Sequence, residues 1–393
     1  MHVSYFIFLI FFISLAVSSL MHQPVLRFAQ KYNIYDNPEA RKLQRSPVPV
    51  MGGFVVFIGA IAGSLCYWFR RDCSSIVPVQ VAMLVMLIIG AWDDIKKLSP
   101  TLRFAIEIIV VTALIVVNGY PVNDLQGLWG VPEISPWLAW PLTVFGCVGI
   151  INAINMIDGV DGLSSGICIM AISFFSWWFF ITEDFVRAAL GVSVIGGLIP
   201  FFVMNVFGNK SKMFIGDAGT LMLGIVLCDM VMAILTQDSP ETKRLLKPNI
   251  SRLAFVLSVL AIPVFDTIRV MFGRISRGES PFAPDKTHLH HAFIDYGFHH
   301  LETSLMEIMM NVMIVFVFAM VYFSHLPMQW QLYGVIVAGI AVCFGLYYML
   351  GRRKRLAQKA AEKYGISEEE YENMSDEERK KLSISRKESS NPE

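Results

Sequence analysis

The chain has 393 residues, of which 55% are hydrophobic and 16% are charged, and its formal net charge is zero. Soluble globular domains carry about 25% charged residues, so this composition excludes an ordinary soluble domain and indicates a membrane protein. A neutral chain has no excess of positive charge, and we expect no nucleic acid among its partners.

Apolar stretches recur along the chain, and a helix needs about 20 apolar residues to cross a bilayer. The stretches are continuous rather than alternating, which favours helices over strands. We therefore predict an all-α polytopic membrane protein with about eleven transmembrane helices, at 3–20, 51–69, 77–91, 104–118, 137–151, 164–181, 188–207, 215–236, 250–272, 304–323 and 330–350. The first stretch lacks a preceding basic segment, so we interpret it as an uncleaved helix and not as a signal peptide.

Lys and Arg concentrate in alternate loops, and short loops rich in these residues face the cytoplasm. The basic loops lie at 21–50, 92–103, 208–214 and 273–303. Eleven crossings then place the N-terminus outside and the C-terminus in the cytoplasm. We divide the chain into a membrane domain at 1–351 and a charged cytoplasmic tail at 352–393, which we expect to be partly disordered.

The polar residues that could carry chemistry fall on this same side of the membrane. They lie in five loops, at 21–50, 92–103, 152–165, 208–220 and 273–303. Ionisable groups at a membrane are energetically expensive and usually functional. We therefore predict one site at the cytoplasmic face, where a water-soluble substrate meets a lipid-dissolved one.

Two adjacent carboxylates, Asp93 and Asp94, end the third apolar stretch. Such a pair could bind Mg²⁺, position a cationic group or accept a proton. A solvated helix end, balanced by Lys96 and Lys97, explains the same residues equally well. The pair alone does not decide between these interpretations.

The segment from Asn152 to Asp161 is more specific. Asn152, Asn155 and Asp158 recur at intervals of three residues and would share one face of a helix. Asp158 and Asp161 are each followed by a glycine, which permits a tight turn at the end of that helix. An Asp-Gly turn with capping asparagines is the structural alternative, but the position at a membrane edge favours function.

Asp217 lies between small residues at the start of the eighth apolar stretch. Its carboxylate could hold a hard cation while backbone N–H groups of the helix start meet anionic oxygens. Asp217 could instead be the capping residue of that helix. Its position on the same side as the other motifs favours the cation.

Three histidines occur within four residues, at His288, His290 and His291. Zinc is one interpretation, but neither a cysteine nor a His-Glu-x-x-His motif accompanies them. Because Arg274 is nearby, we favour a pocket of several donors for a pyrophosphate. A merely solvated polar loop is the alternative.

Two further groups of charges are interpreted as structural. Asp266 lies within an apolar run, where its spacing allows a structural pair with Arg269, three residues on, and we assign it no catalytic role. Arg41, Lys42 and Arg45 of the first loop have the composition of membrane-surface anchors.

Five motifs follow one another in a fixed order, at 49–53, 93–94, 152–163, 214–219 and 288–291. This order resembles that of the polyprenyl-phosphate N-acetylhexosamine-1-phosphate transferases, and the resemblance covers nearly all of 20–300. In the branch that transfers phospho-MurNAc-pentapeptide, three histidines are consecutive, whereas here Leu289 interrupts them. The chain is therefore more similar to the branch that transfers GlcNAc-1-phosphate to undecaprenyl phosphate.

The resemblance implies a role for each motif residue. The implied catalytic residues are Asp93, Asp94 and Asp217. The implied ligands of Mg²⁺, or of Mn²⁺ in its place, are Asn155 and Asp217. The implied nucleotide-binding residues are Asp158, Asp161 and Phe214. The implied pyrophosphate- and sugar-binding residues are His288, His290, His291, Arg274 and Arg45.

The resemblance also implies a reaction. An N-acetylhexosamine-1-phosphate, GlcNAc-1-phosphate in the first instance, would pass from a UDP-sugar to undecaprenyl phosphate with release of UMP. This would be the first membrane step of a cell-envelope polysaccharide such as lipopolysaccharide, in the bacterial inner membrane, with lipids as partners and a homodimer left open. The alternatives are phospho-MurNAc-pentapeptide transfer, a secondary transporter and an intramembrane zinc hydrolase.

Overall fold

The computed structural model describes residues 3–36, 46–68, 75–119, 121–237, 249–281 and 286–352. The predictions for Arg45 and for the tail beyond Arg352 lie outside the described residues. Within those residues the chain is mainly helical, with connecting loops and one short pair of strands.

The helices follow the predicted apolar stretches. They are α1 (Val3–Lys31), α2 (Gly52–Trp68), α3 (Val77–Lys96), α4 (Pro100–Asn118), α5 (Pro136–Met156), α6 (Leu163–Ile181), α7 (Phe185–Phe207), α8 (Gly216–Thr236), α9 (Arg252–Val259), α10 (Ala261–Ser276), α11 (Leu289–Asp295), α12 (His300–Phe323) and α13 (Met328–Ile340). A π-helical segment, Ala341–Leu346, continues α13, and a short 3₁₀ turn occupies Leu128–Gly130.

In the described part of the chain, nine helices are long and apolar enough to cross a membrane. The pair α9 and α10 would be a tenth span if it is counted as one across its bend of 76°, and α2 is a shorter apolar helix. Each of the eleven predicted stretches therefore overlaps a helix or this helix pair. A helical, polytopic membrane protein is confirmed.

The first loop differs from its prediction in two ways. The helix α1 runs to Lys31, so it takes up residues that were assigned to the loop. The strands β1 (Tyr35–Asp36) and β2 (Val48–Pro49) then pair antiparallel, with Tyr35 opposite Pro49. This short sheet departs from a purely α-helical fold and brings the two ends of the loop together.

The helix α8 lies at the centre of the molecule, since 94% of its apolar segment is buried in the protein. Close approach at its start requires glycine on both neighbouring helices. A Cβ atom at Gly90 of α3 would lie 2.4 Å from the backbone nitrogen of Ala218, and one at Gly53 of α2 would lie 2.5 Å from that of Gly219. The three helices thus meet backbone to backbone at the beginning of α8.

The break between α9 and α10 is held by one buried side chain, Asn311 of α12. Its Nδ2 atom donates to the carbonyl oxygens of Ser258 (3.2 Å) and Val259 (2.9 Å). Its Oδ1 atom accepts from the backbone N–H of Ile262 at 2.9 Å. Asn311 therefore replaces backbone hydrogen bonds that the bend breaks. Such a replacement is required in the interior of a membrane, because water does not satisfy backbone groups there.

Candidate active site

The first and fourth motifs lie side by side. Val50 and Phe214 form a parallel bridge. The backbone N–H of Gly52 donates to the carbonyl oxygen of Phe214 at 2.8 Å, and that of Phe214 donates to Pro49 at 2.9 Å. The segment before α2 thereby fixes the loop that leads into α8.

The second motif caps the helix that carries the fourth. The Oδ1 atom of Asp94 accepts from the backbone N–H of Asp217 at 2.8 Å, and its Oδ2 atom accepts from that of Ala218 at 3.1 Å. Gly216 makes room for this contact, because a Cβ atom there would lie 2.5 Å from the Asp94 Oδ2 atom and its φ is +70°. A carboxylate at a helix N-terminus is stabilised by free N–H groups and by the helix dipole.

This contact decides one alternative left open for Asp217 and changes one expectation for the helix start. Asp217 lies within the first turn of α8 and does not cap it, because Asp94 of α3 supplies the cap. Backbone N–H groups of this helix start were expected to meet anionic oxygens, and those of Asp217 and Ala218 instead meet a carboxylate of the protein itself. Local sequence could not reveal this, since the cap is more than a hundred residues away.

The third motif meets Asp217 through Asn155. The Nδ2 atom of Asn155 donates to the Asp217 Oδ1 atom at 2.5 Å and to the Thr220 Oγ1 atom at 2.8 Å. The predicted metal ligands are therefore in direct contact. Asp94, Asn155 and Asp217 form the group that we call the α8-start cluster.

A second polar group surrounds Asp93. Its Oδ1 atom accepts from the backbone N–H of Leu98 at 2.7 Å, and its Oδ2 atom lies 3.3 Å from the Arg103 guanidinium. Arg103 also donates to Asn152 at 3.2 Å, and Asn152 donates to Glu107 at 2.5 Å. Asp93 is thus held by protein groups on both oxygens.

The sequence-based predictions did not include Glu107. Arg103 entered them only as part of the basic loop 92–103, which helps to set the orientation of the chain in the membrane. Glu107 is fully buried in α4, and its Oε1 atom lies 3.4 Å from the Arg103 Nε atom. A signal existed, because Glu107 is the only ionisable residue in the predicted apolar stretch 104–118. Ionisable residues within such a stretch are functional candidates by default.

The two aspartates of the third motif have different surroundings. Burial raises the pKa of Asp158 to about 7, although a hydrogen bond from Ser164 favours its charged form. Burial also opposes the charge of Asp161, but hydrogen bonds and charge from His300 and Lys212 outweigh it and lower the pKa of that carboxyl. The Asp161 Oδ2 atom lies 2.6 Å from the Lys212 Nζ atom and 3.0 Å from the His300 Nδ1 atom.

Phe214 lies beside this ion pair. The Lys212 Nζ atom is 5.7 Å from the centroid of the Phe214 ring, within the range of a cation–π contact. The structure therefore brings two predicted nucleotide-binding residues, Asp161 and Phe214, to the same lysine. Lys212 belongs to the basic loop 208–214, and its position between these two residues makes it a candidate for the same nucleotide-binding group.

The histidine motif packs on the third motif. A Cβ atom at Gly159 would lie 2.5 Å from the His290 Nε2 atom, so only glycine permits this contact. The rings of His288 and His290 are nearly parallel, at 10°, with centroids 5.5 Å apart. Burial lowers the pKa of His290 well below its ordinary value, and burial together with His288 lowers the pKa of His291.

Asp266 makes the pair with Arg269 that its spacing allows, and a second contact that the sequence did not indicate. Its Oδ1 atom lies 2.7 Å from the Arg269 Nη2 atom. Its Oδ2 atom lies 2.8 Å from the His288 Nδ1 atom. Arg274 is buried and donates to the carbonyl oxygen of Pro281 at 2.5 Å, and its role towards a pyrophosphate stays a prediction.

The donor set of the α8-start cluster suits Mg²⁺. In the described part of the chain, no three His, Cys, Asp or Glu side chains are grouped so that they could hold a metal ion. Asn155 and Asp217 supply one amide and one carboxylate in contact. Mg²⁺ prefers oxygen ligands and is usually held by one or two carboxylates together with waters and substrate phosphates.

The sequence that carries these motifs is similar to that of known proteins. The sequence model of a family described as glycosyl transferase family 4 matches residues 76–236, which include the second, third and fourth motifs. This match and the similarities below support the family that the motifs predicted.

Three relatives indicate the branch. An undecaprenyl-phosphate alpha-N-acetylglucosaminyl 1-phosphate transferase of Salmonella typhi is 25% identical over 364 residues, 91% of this chain and 92% of that protein. One of Pasteurella multocida is 28% identical over 299 residues, 73% of this chain and 77% of that protein. A Bacillus subtilis protein, named a probable undecaprenyl-phosphate N-acetylglucosaminyl 1-phosphate transferase, is 29% identical over 314 residues, 79% of this chain and 82% of that protein. These similarities support the predicted branch.

Proposed function

We propose that the chain transfers GlcNAc-1-phosphate from UDP-GlcNAc to undecaprenyl phosphate and releases UMP. The names of the relatives support the sugar phosphate and the lipid acceptor. The contact between Asn155 and Asp217, with Asp94 beneath them at the start of α8, is the observation that carries the proposal. The Asp161–Lys212 pair beside Phe214 supports a nucleotide as the donor.

Asn155 and Asp217 would hold Mg²⁺ in this enzyme. The ion would neutralise charge on the phosphates, which matters because two or more anionic groups must approach each other. The acceptor phosphate is largely ionised at neutral pH by analogy with phosphorylated side chains, whose second pKa is about 6. A strong general base is therefore not required.

An oxygen of the lipid phosphate would attack the phosphorus that bears the sugar. The bond from this phosphorus to the bridging oxygen breaks, and UMP takes that oxygen and its electron pair. Asp94 would act through the helix that it caps, because both of its oxygens already accept backbone N–H groups. His288, His290 and His291 would contact the diphosphate and sugar from the opposite loop.

We further propose that eleven crossings place the N-terminus outside and this site at the cytoplasmic face of a bacterial inner membrane. The eleven helical segments and the basic loops at one side support this topology. A homodimer and the membrane-domain boundary at 351 stay predictions.

The purified, detergent-solubilised chain with undecaprenyl phosphate and labelled UDP-GlcNAc tests the function. We expect Mg²⁺-dependent transfer of labelled sugar phosphate, and we expect Asp217→Asn to lower kcat by about 10³-fold. Glu183→Gln, a carboxylate-to-amide change at an exposed residue between α6 and α7, is the matched control. Activity that persists in excess EDTA would contradict the metal assignment.

A panel of donors separates the two branches. Transfer from UDP-GlcNAc, with none from UDP-MurNAc-pentapeptide, is the expected result. The reverse preference would assign the chain to the muramyl branch, and an inactive chain that moves a solute across vesicles would indicate a transporter.

A further inference from the structure

His288, which Leu289 separates from the other two histidines of the motif, contacts Asp266, a partner that the spacing of the motif does not indicate. We propose that Asp266 is a positioning residue for His288, fixing the ring so that Nδ1 carries the hydrogen and Nε2 serves the phosphates of the substrate. The inference rests on the proposed function and adds a residue to its machinery.

Asp266 divides its two oxygens between two partners. The Oδ1 atom accepts from Arg269, at 3.2 Å from Nε and 2.7 Å from Nη2. The Oδ2 atom faces the His288 Nδ1 atom at 2.8 Å, and both oxygens receive the backbone N–H of Leu289 at 3.2 and 3.3 Å. A carboxylate paired with a guanidinium can only accept, so the hydrogen between Asp266 and His288 belongs to the ring.

The fixed tautomer has a chemical consequence. With Nδ1 donating to Asp266, only Nε2 of His288 can take up or release a proton. A carboxylate behind an imidazole also favours the charged ring, which can donate to an anionic oxygen. Asp266 therefore leaves the opposite edge of His288 as a single, defined proton site.

Asp266 is itself held in place from behind. Arg269 donates to the carbonyl oxygen of Thr287, the residue before His288, so the same guanidinium fixes Asp266 and the backbone of the histidine loop. The Arg269 Cζ atom lies 3.7 Å from the centroid of the Tyr347 ring. Asp266 and Arg269 of α10, through the carbonyl group of Thr287 in the loop, thus hold the histidine in place.

The other side of His288 leads to the site. Its ring lies parallel to that of His290, and His290 packs on Gly159 beside Asp158. If the Asp266–Arg269 pair were only structural, the second oxygen of Asp266 would not need to contact His288. The contacts instead form a continuous chain from α10 to the nucleotide-facing motif.

The test compares Asp266→Asn, Asp266→Glu and His288→Ala in the full-length, detergent-solubilised protein. We expect Asp266→Asn to lower kcat by about 10- to 100-fold, with a smaller change in KM for the donor, as for other residues that orient a functional histidine. We expect Asp266→Glu to recover part of this loss, because it restores the carboxylate. A loss in Asp266→Asn that appears in KM alone would overturn the proposal.

A double-mutant cycle separates positioning from general damage. If Asp266 acts through His288, Asp266→Asn lowers kcat little further in the His288→Ala background. Equal losses in both backgrounds would overturn the proposal, while wild-type transfer from UDP-GlcNAc would still support the proposed function. An inactive wild type would instead remove the proposed function itself.

The pH profile gives a reading that simple destabilisation would not change. Removing the Asp266 charge takes away an anion that favours protonation of the groups around it, so the acid limb of the kcat/KM profile should move to lower pH. The charged and titratable groups around the pair remain in every variant of this comparison: Arg269 on α10, Lys286 in the loop, His290 and His291 on α11 and Glu307 on α12.

Asp229→Asn is the matched control, because Asp229 is also a buried aspartate that faces an arginine, Arg187, far from the histidines. It should lower thermal stability without moving the pH profile. An unmoved profile in Asp266→Asn would overturn the proposal.

Discussion

The two ends of α8 carry buried charge in opposite ways. At its start, Asp217 lies with Asp94, Asp93 and Glu107 near the guanidinium of Arg103. Twelve residues on, about 18 Å along the helix, Asp229 lies 3.5 Å from Arg187, which also pairs with Asp184 at 2.6 Å. Asn118 completes that far group with a hydrogen bond of 3.1 Å to Asp229.

The difference separates a structural group from the candidate functional one. In the far group an arginine stands between the acids, so the contacts suffice to hold the ends of α4, α7 and α8 together. Among the described residues, four carboxylates at the start of α8 lie near one guanidinium, whereas the far group has two carboxylates for one. Such a surplus of negative charge is unfavourable unless a further cation joins it, which is the condition that a magnesium site provides.

The largest expected effect tests this contrast through stability. Asp229→Asn should lower the free energy of unfolding by about 3 kcal/mol, because it breaks a buried pair and leaves Arg187 less compensated. Glu107→Gln should change it by no more than about 1 kcal/mol, because glutamine can still accept from Asn152 and repulsion among carboxylates falls.

Thermal unfolding of both variants in detergent, without added metal, measures this difference. A Glu107→Gln protein that is less stable than Asp229→Asn would show that the two ends do not differ as described.

The next effect concerns the cap on α8. Asp94→Ala should lower the free energy of unfolding by about 1–2 kcal/mol, because two N–H groups of the first turn lose their acceptor. Asp94→Asn should recover part of this, since its amide oxygen can accept one of them. Thermal unfolding gives the order, and equal stability of Ala and Asn variants would argue against a capping role.

The smallest effect concerns the Asp161–Lys212 pair. Since the pKa of Asp161 is lowered in the folded protein, its contribution to stability is present above its ordinary pKa of about 3.9 and is lost as the pH falls through the lowered value. Lys212→Met should therefore destabilise the protein by about 0.5 kcal/mol at neutral pH and by almost nothing in strong acid. Unfolding measured across acid pH tests this, and a difference that persists in strong acid would contradict it.

Much of the fold could be predicted because a membrane-spanning helix is determined by its own stretch of sequence. A continuous apolar run must satisfy its own backbone, so each of the eleven runs marks a helix or a helix pair. The grouping of the motifs could also be predicted, because alternate loops between spanning helices lie at the same end of the helices. Asn155 against Asp217 and His290 against Gly159 are contacts of that kind.

The individual partners could not be predicted in the same way. Asp94 on the amides of Asp217 and Ala218, and His288 on Asp266, join residues from different helices whose relative rotation the sequence does not specify. The pairing of strands across the first loop likewise depends on where α1 ends. The spacing of residues in the sequence can place a carboxylate at the end of a helix, but it does not decide which neighbouring residue that carboxylate contacts.

The Asp94 contact limits how an incoming phosphate can be received. Free amides at the start of a helix commonly cradle phosphate groups. Here an internal carboxylate already fills that cradle, so a diphosphate arriving at α8 would meet negative charge first. Selectivity for the substrate would then depend on a counterion that arrives with it or before it, so the proposed Mg²⁺ would act in recognition as well as in reaction.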